Sequence, residues 1–201
     1  MNMCRSSKRA LITGLGVISP VGHTKQVLLE AIRDGRSGIG PITAFDPSVF
    51  RTPYGGEVRG FDAADYMTPE ELDLFPSNYL RFGLAAARTA LEDADLHWSR
   101  DNPPSARVGL VVGSCNGGLE TSEKYYRELL GPGPDGYDRR TDLLVRYHSL
   151  GRALSYGLGV SGPTWVDTTA CSSSTVALAV ALELIDHGVV HTVLVGGTDA
   201  M

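Results

Sequence analysis

The stretch PTWVDTTACSSSTVALAVALELIDHGVVHTVLVG, residues 163–196, holds a strand, a turn, a helix and a second strand in succession. Residues 163–167 and 191–196 are short apolar runs of strand length. Between them, residues 171–187 read as a helix whose Val176, Leu178, Val180, Leu182, Leu184 and Ile185 leave little polar face. A helix apolar nearly all round is expected to be buried on every side. Working outward, residues 9–15 (RALITGL) and 107–113 (RVGLVVG) are two more apolar runs, each read as a buried strand. Residues 24–34 carry helical spacing closed by Gly35, and residues 80–96 form an amphipathic helix with Leu84, Ala87, Leu91 and Ala94 on one face. Residues 142–158 read as a helix striped by Leu143, Leu144, Tyr147, Leu150 and Leu154. The Gly- and Pro-rich residues 35–61 read as loop with one short strand near 56–58, and residues 131–136 (GPGPDG) as loop. Short, continuously apolar strands alternating with helices predict an α/β fold. The expected sheet is mostly parallel, five-stranded and covered by helices on both faces. The chain shows no fixed-period repeat, and residues 1–201 are read as one domain.

Bulk composition narrows the function. Hydrophobic residues make up 42% and charged residues 20% of the 201, enough for a packed core. The net charge of −5 argues against nucleic acid as a partner. No apolar run reaches membrane-spanning length, and residues 1–7 lack the apolar stretch of a signal peptide. The three cysteines, Cys4, Cys115 and Cys171, form no C-x-x-C pair and no even set, so neither a disulfide scaffold nor a metal site is expected, and a cytoplasmic location is.

The chemistry concentrates at Cys171. The predicted strand ends in small residues (Thr168, Thr169, Ala170), the cysteine follows, and Ser172, Ser173 and Ser174 open the helix. A thiol at a helix N-terminus meets unpaired backbone N–H groups and the positive end of the helix dipole, which favour the thiolate. The same N–H groups are placed to donate to an oxyanion at an attacked carbonyl. From residue types alone, the alternative is a small buried cysteine beside a serine-rich cap. Of the five histidines, His23, His97, His148, His187 and His191, none lies in a motif tied to Cys171. Two other motifs fall away: residues 13–22 (TGLGVISPVG) do not fit the G-x-G-x-x-G dinucleotide loop, and residues 113–118 (GSCNGG) are not the G-x-S-x-G elbow. Cys115 there is read as a structural or gating-loop residue.

VDTTACSSS, residues 166–174, resembles the nucleophile motif of the β-ketoacyl-[acyl-carrier-protein] synthases. The resemblance extends in order through ALITGLGVISPVG (10–22), GRSGIGPITAFD (35–46), RFGLAAARTALEDADL (81–96), RVGLVVGSCNGG (107–118), GVSGPTWVDTTACSSS (159–174) and VLVGGTDAM (193–201). It implies a thiolase-like fold of two similar halves, of which residues 1–201 correspond to the nucleophile-bearing N-terminal half. It carries over Cys171 as the catalytic nucleophile, with its backbone N–H in the oxyanion hole, and no cofactor or metal. In the family, two catalytic histidines come from the other half, so no histidine is carried over. The implied partners are acyl carrier protein, presenting acyl and malonyl thioesters, a second-half ketosynthase polypeptide, and another copy or paralogue in a homo- or heterodimer meeting near residues 191–196. The implied reaction is acyl transfer to Cys171 followed by decarboxylative condensation in fatty-acid or polyketide synthesis.

The chain departs from the family pattern in places. Residues 69–78 (PEELDLFPSN) carry acids and no base where the family often has a basic carrier-docking patch, and His148 stands where an asparagine is usual. A structural subunit and a truncated ketosynthase are the alternatives; the presence of Cys171 favours the catalytic type.

Overall fold

A computed structural model describes residues 9–131 and 146–200. The loop expected at 131–136, apart from Gly131, and the start of the helix expected over 142–158 lie outside the described residues.

The centre of the molecule is β3 (Val108–Gly113), in which every residue is buried. It pairs in parallel with β4 (Thr164–Asp167) on one side and with β5 (Thr192–Gly197) on the other, giving the order β4-β3-β5. Alternate residues of β3 serve different layers. Leu110 and Val112 face α3 (Asn78–Asp93) and α5 (Ser149–Leu158), packing with Leu84, Leu150 and Leu154. Val111 faces α6 (Ser173–Asp186), packing with Ala177 and Ala181. Helices on both faces explain why the strand is apolar without alternation.

The remaining elements frame this core. Helix α1 (Lys25–Arg33) starts at Thr24, whose hydroxyl accepts from the Val27 N–H, and ends before Gly35 at φ +65°. A small antiparallel sheet joins β1 (Ile39–Pro41) and β2 (Tyr54–Gly56). Helix α2 (Pro69–Leu74) is closed by a reciprocal cap between Thr68 and Glu71. Helix α4 (Leu119–Leu129) follows β3, and α5 ends at Gly159, whose φ of +67° suits a glycine. Among the described residues no helix is long and apolar enough to cross a membrane.

Three expectations are corrected. The sheet has three parallel strands beside a separate two-stranded one, not five strands in a single sheet. Residues 10–18 take no strand conformation. This segment lies on α3, where Gly14 and Gly16 meet the carbonyls of Ala90 and Ala86 and leave no room for a Cβ. The Leu15 N–H donates to Asp93 Oδ2 at 2.9 Å. An apolar cavity of about 550 Å³, lined by residues 10–16, α3, α6 and β5, separates the run from β5. With no ladder, Leu11 and Ile12 are each 80% exposed. Nor is α6 enclosed on every side. Ser173, Ala177 and Ala181 are buried against the sheet, while Leu178 and Leu182 are 48% and 51% exposed. In a layered fold a helix gives one side to its sheet, and its other apolar side stays uncovered in this chain. The α/β assignment therefore rests on the layers and the strand order, not on the helix's enclosure.

Candidate active site

The carboxyl ends of β4, β3 and β5 align, with Gly113 in register with both Asp167 and Gly197. In parallel sheets this rim is where ligands bind. Three short segments meet there, following each strand.

The first carries Cys171. Asp167 is buried, and its Oδ2 accepts from the Thr169 N–H at 3.1 Å and the Thr169 hydroxyl at 2.5 Å. The chain then turns through Ala170, a non-glycine residue in the left-handed region at φ +55°. Such a conformation costs on the order of 1 kcal/mol and persists only where neighbours hold it. Those neighbours are the serines. Ser172 Oγ donates to the Thr169 carbonyl at 2.7 Å, and Ser173 Oγ to the carbonyls of Ala170 (2.7 Å) and Ser114 (3.2 Å). Cys171 thus lies in a short 3-10 turn, Ala170–Ser172, just ahead of α6 rather than within it as expected. It is a free, exposed thiol. No hydrogen bond to its backbone N–H is found among the described residues.

The second segment is the turn after β3. Gly113 sits flush on α6: a Cβ there would come within 2.6 Å of the Ser173 carbonyl carbon. The third segment, after β5, supplies Asp199. Its carboxylate accepts from the Ser114 hydroxyl (2.9 Å), the Cys115 N–H (2.9 Å) and the Asn116 N–H (2.7 Å), and so fixes that turn. Thr198 Oγ1 donates to the buried Tyr79 carbonyl at 2.8 Å. Burial first, then the Asp199 charge, pushes the Tyr79 phenol up to about 12, so it stays protonated beneath the site. The Cys115 thiol is raised by burial, by the charges on Cys171 and Asp199, and by a side-chain hydrogen bond with Cys171.

The structure thus brings the Cys115 turn beside the Cys171 turn and braces it with Asp199, and neither residue is tied to Cys171 by the sequence. Asp199 lies 28 positions further on, and only the shared strand ends unite the two. The contacts of four histidines lie elsewhere: His23 packs on Phe61, His97 faces Asp95, His187 caps α6 through Glu183, and His191 meets Thr192. His148 precedes α5. Nor is the stretch 69–78 a uniformly acidic surface. Glu71 turns inward, and its two oxygens take a forked pair of bonds from Arg88 at 2.6 and 2.9 Å. Among the described residues no cluster of His, Cys, Asp or Glu suits a metal.

Comparison with known proteins agrees with this geometry. The chain is 32% identical over 193 residues to a 3-oxoacyl-[acyl-carrier-protein] synthase 2 of Synechocystis sp.. It is 34% identical over 195 residues to that of Coxiella burnetii. Each match covers 96% of this chain and 46% of the relative, so the chain spans about half the length of those proteins. Among solved structures, the ishigamide ketosynthase/chain length factor superposes with a TM-score of 0.82 at 27% identity, covering 94% of this chain and 47% of that one. A type II polyketide ketosynthase in complex with its acyl-carrier protein shares the fold at a TM-score of 0.75 and 22% identity, covering 94% and 45%. Residues 7–201 match the sequence profile described as β-ketoacyl synthase, N-terminal domain, and the chain belongs to that family.

Proposed function

We propose that Cys171 is the acyl-accepting nucleophile of a condensing enzyme and that residues 1–201 are its nucleophile-bearing half. The observation that carries this is the placement of an exposed thiol at a left-handed turn ahead of α6, on the carboxyl rim of a parallel sheet. The Cys171 thiolate attacks the carbonyl carbon of a carrier-bound acyl thioester. Its own backbone N–H faces the oxyanion, and the carrier thiol leaves with a proton. Decarboxylation of a malonyl thioester then yields a carbanion that attacks acyl-Cys171 and releases the thiolate. That second step needs donors aimed at the malonyl carbonyl, and the described histidine contacts supply none at Cys171. The part of the relatives that this chain does not span is the proposed source, as a second polypeptide or as further sequence. Absence of one such donor lowers the rate roughly 10²–10³-fold.

Acyl carrier protein as the acyl donor is supported by the relatives' names and by the carrier complex of the structural neighbour. The apolar side chains Leu178 and Leu182 support assembly with a further half or copy. A reducing cytoplasm suits the free thiols.

Intact mass spectrometry with an acyl-carrier thioester tests the reading. The chain should gain one acyl group, Cys171→Ala should gain none, and condensation product should appear only when a second-half protein is added. Failure of Cys171 to acylate even with that protein present would leave the structural-subunit reading.

A further inference from the structure

We propose that Cys115 and Cys171 form a reversible disulfide when the protein meets a hydroperoxide, closing the thiol that the site presents. The two cysteines lie on turns that the sheet presses together. The Ser114 N–H donates to the Asp167 carbonyl at 3.1 Å, and Ser173 Oγ donates back to the Ser114 carbonyl at 3.2 Å. Gly113 leaves no side chain between the turns. Cys115 follows one of these contact points and Cys171 lies two residues before another, and the Cys171 thiol is among the groups that raise Cys115. Asp199 holds the Cys115 turn through three hydrogen bonds. Cys171 is the exposed member and the one a dissolved oxidant reaches.

The chemistry balances in two steps. The Cys171 thiolate attacks the peroxide, whose O–O bond breaks. Sulfur gives up two electrons and becomes the sulfenic acid, and the alkoxide leaves as an alcohol (water, when the oxidant is hydrogen peroxide). The Cys115 sulfur then attacks Cys171; the S–S bond forms, the S–O bond breaks, and hydroxide leaves as water with the Cys115 proton. The charge on Cys171 is one of the influences that keep Cys115 protonated. A dithiol reductant returns both thiols by exchange.

The proposal does not depend on acyl transfer, because its test reads mass and thiol content alone. The chain carrying Cys4→Ser is treated briefly with hydrogen peroxide. Expected are a loss of two hydrogen masses, a cross-linked peptide containing Cys115 and Cys171, loss of iodoacetamide labelling at Cys171, and full recovery with dithiothreitol. With Cys115→Ser added, Cys171 should instead retain an oxygen that a sulfenic-acid trap captures. Circular dichroism of both variants confirms their fold. A monomeric product oxygenated at Cys171 with Cys115 still free, or a disulfide formed only between chains, overturns the proposal.

Discussion

Two short apolar stretches meet opposite fates. VGLVVG of β3 is buried throughout, while ALITGL, residues 10–15, leaves Leu11 and Ile12 80% exposed. Both are short apolar runs punctuated by glycine, and a pattern reader sees two strands. The difference is their neighbours. β3 has a parallel partner on each edge and a helix layer on each face; residues 10–15 rest on α3 and stand apart from β5 across a cavity. A strand's stability is that of its pairs and its packing, since intrinsic β preference spans only about 1 kcal/mol. The functional rim follows the same logic: Cys171, Cys115 and Asp199 are positioned because their turns leave paired strands.

That contrast can be broken or sharpened by substitution. The largest effect is expected at the central strand. Leu110→Ala should cost about 2–5 kcal/mol by chemical denaturation, whereas Ile12→Ala should stay within about 0.5 kcal/mol. Comparable losses at the two sites would mean that residues 10–15 are packed as strongly as β3. Next come ion pairs. Burial alone would raise Glu71, but its bonds from Arg88 and the Thr68 N–H prevail and hold it below the usual carboxylate range. Arg88→Met should therefore destabilise by about 3 kcal/mol, as breaking a buried pair does. Lys25→Met, which frees Asp93 at the margin, should cost clearly less than Arg88→Met. Thermal melts of both variants at one ionic strength make this comparison; equal shifts would contradict it.

The smallest expected effect concerns pH and the exposed hairpin. Glu57 accepts the N–H groups of Ala44 and Thr43 and the Thr43 hydroxyl, which lower its carboxyl to about 2. A lowered pKa means stabilisation that is complete above the ordinary value near 4.5 and is lost as pH falls through about 2. Amide signals of Thr43 and Ala44 should shift on acidification over that window, and Glu57→Gln should remove the transition while leaving those of β3 unchanged.

Much of the layout was legible in the residues. The helices α1 and α3 and the strands β3, β4 and β5 lie within three residues of their expected places, because capping residues, glycine stops and apolar runs are local signals. The β1–β2 pair was half read, since β1 is three residues long and includes a proline. Helix α4 has no such local signal, and the enclosure expected of α6 fails because an apolar helix shows what it needs to bury and not what is present to bury it.

The α/β class, the position of a cysteine between strand and helix, and the family resemblance can all be read from the residues, since each rests on segments of neighbouring residues. Tertiary packing settles which apolar runs pair as strands, that α6 keeps an uncovered side, and that the Asp199-braced Cys115 turn lies against the Cys171 turn. Those outcomes depend on pairing between strands far apart in sequence. The turns that carry residues 115, 171 and 199 come together only when Gly113, Asp167 and Gly197 fall into register.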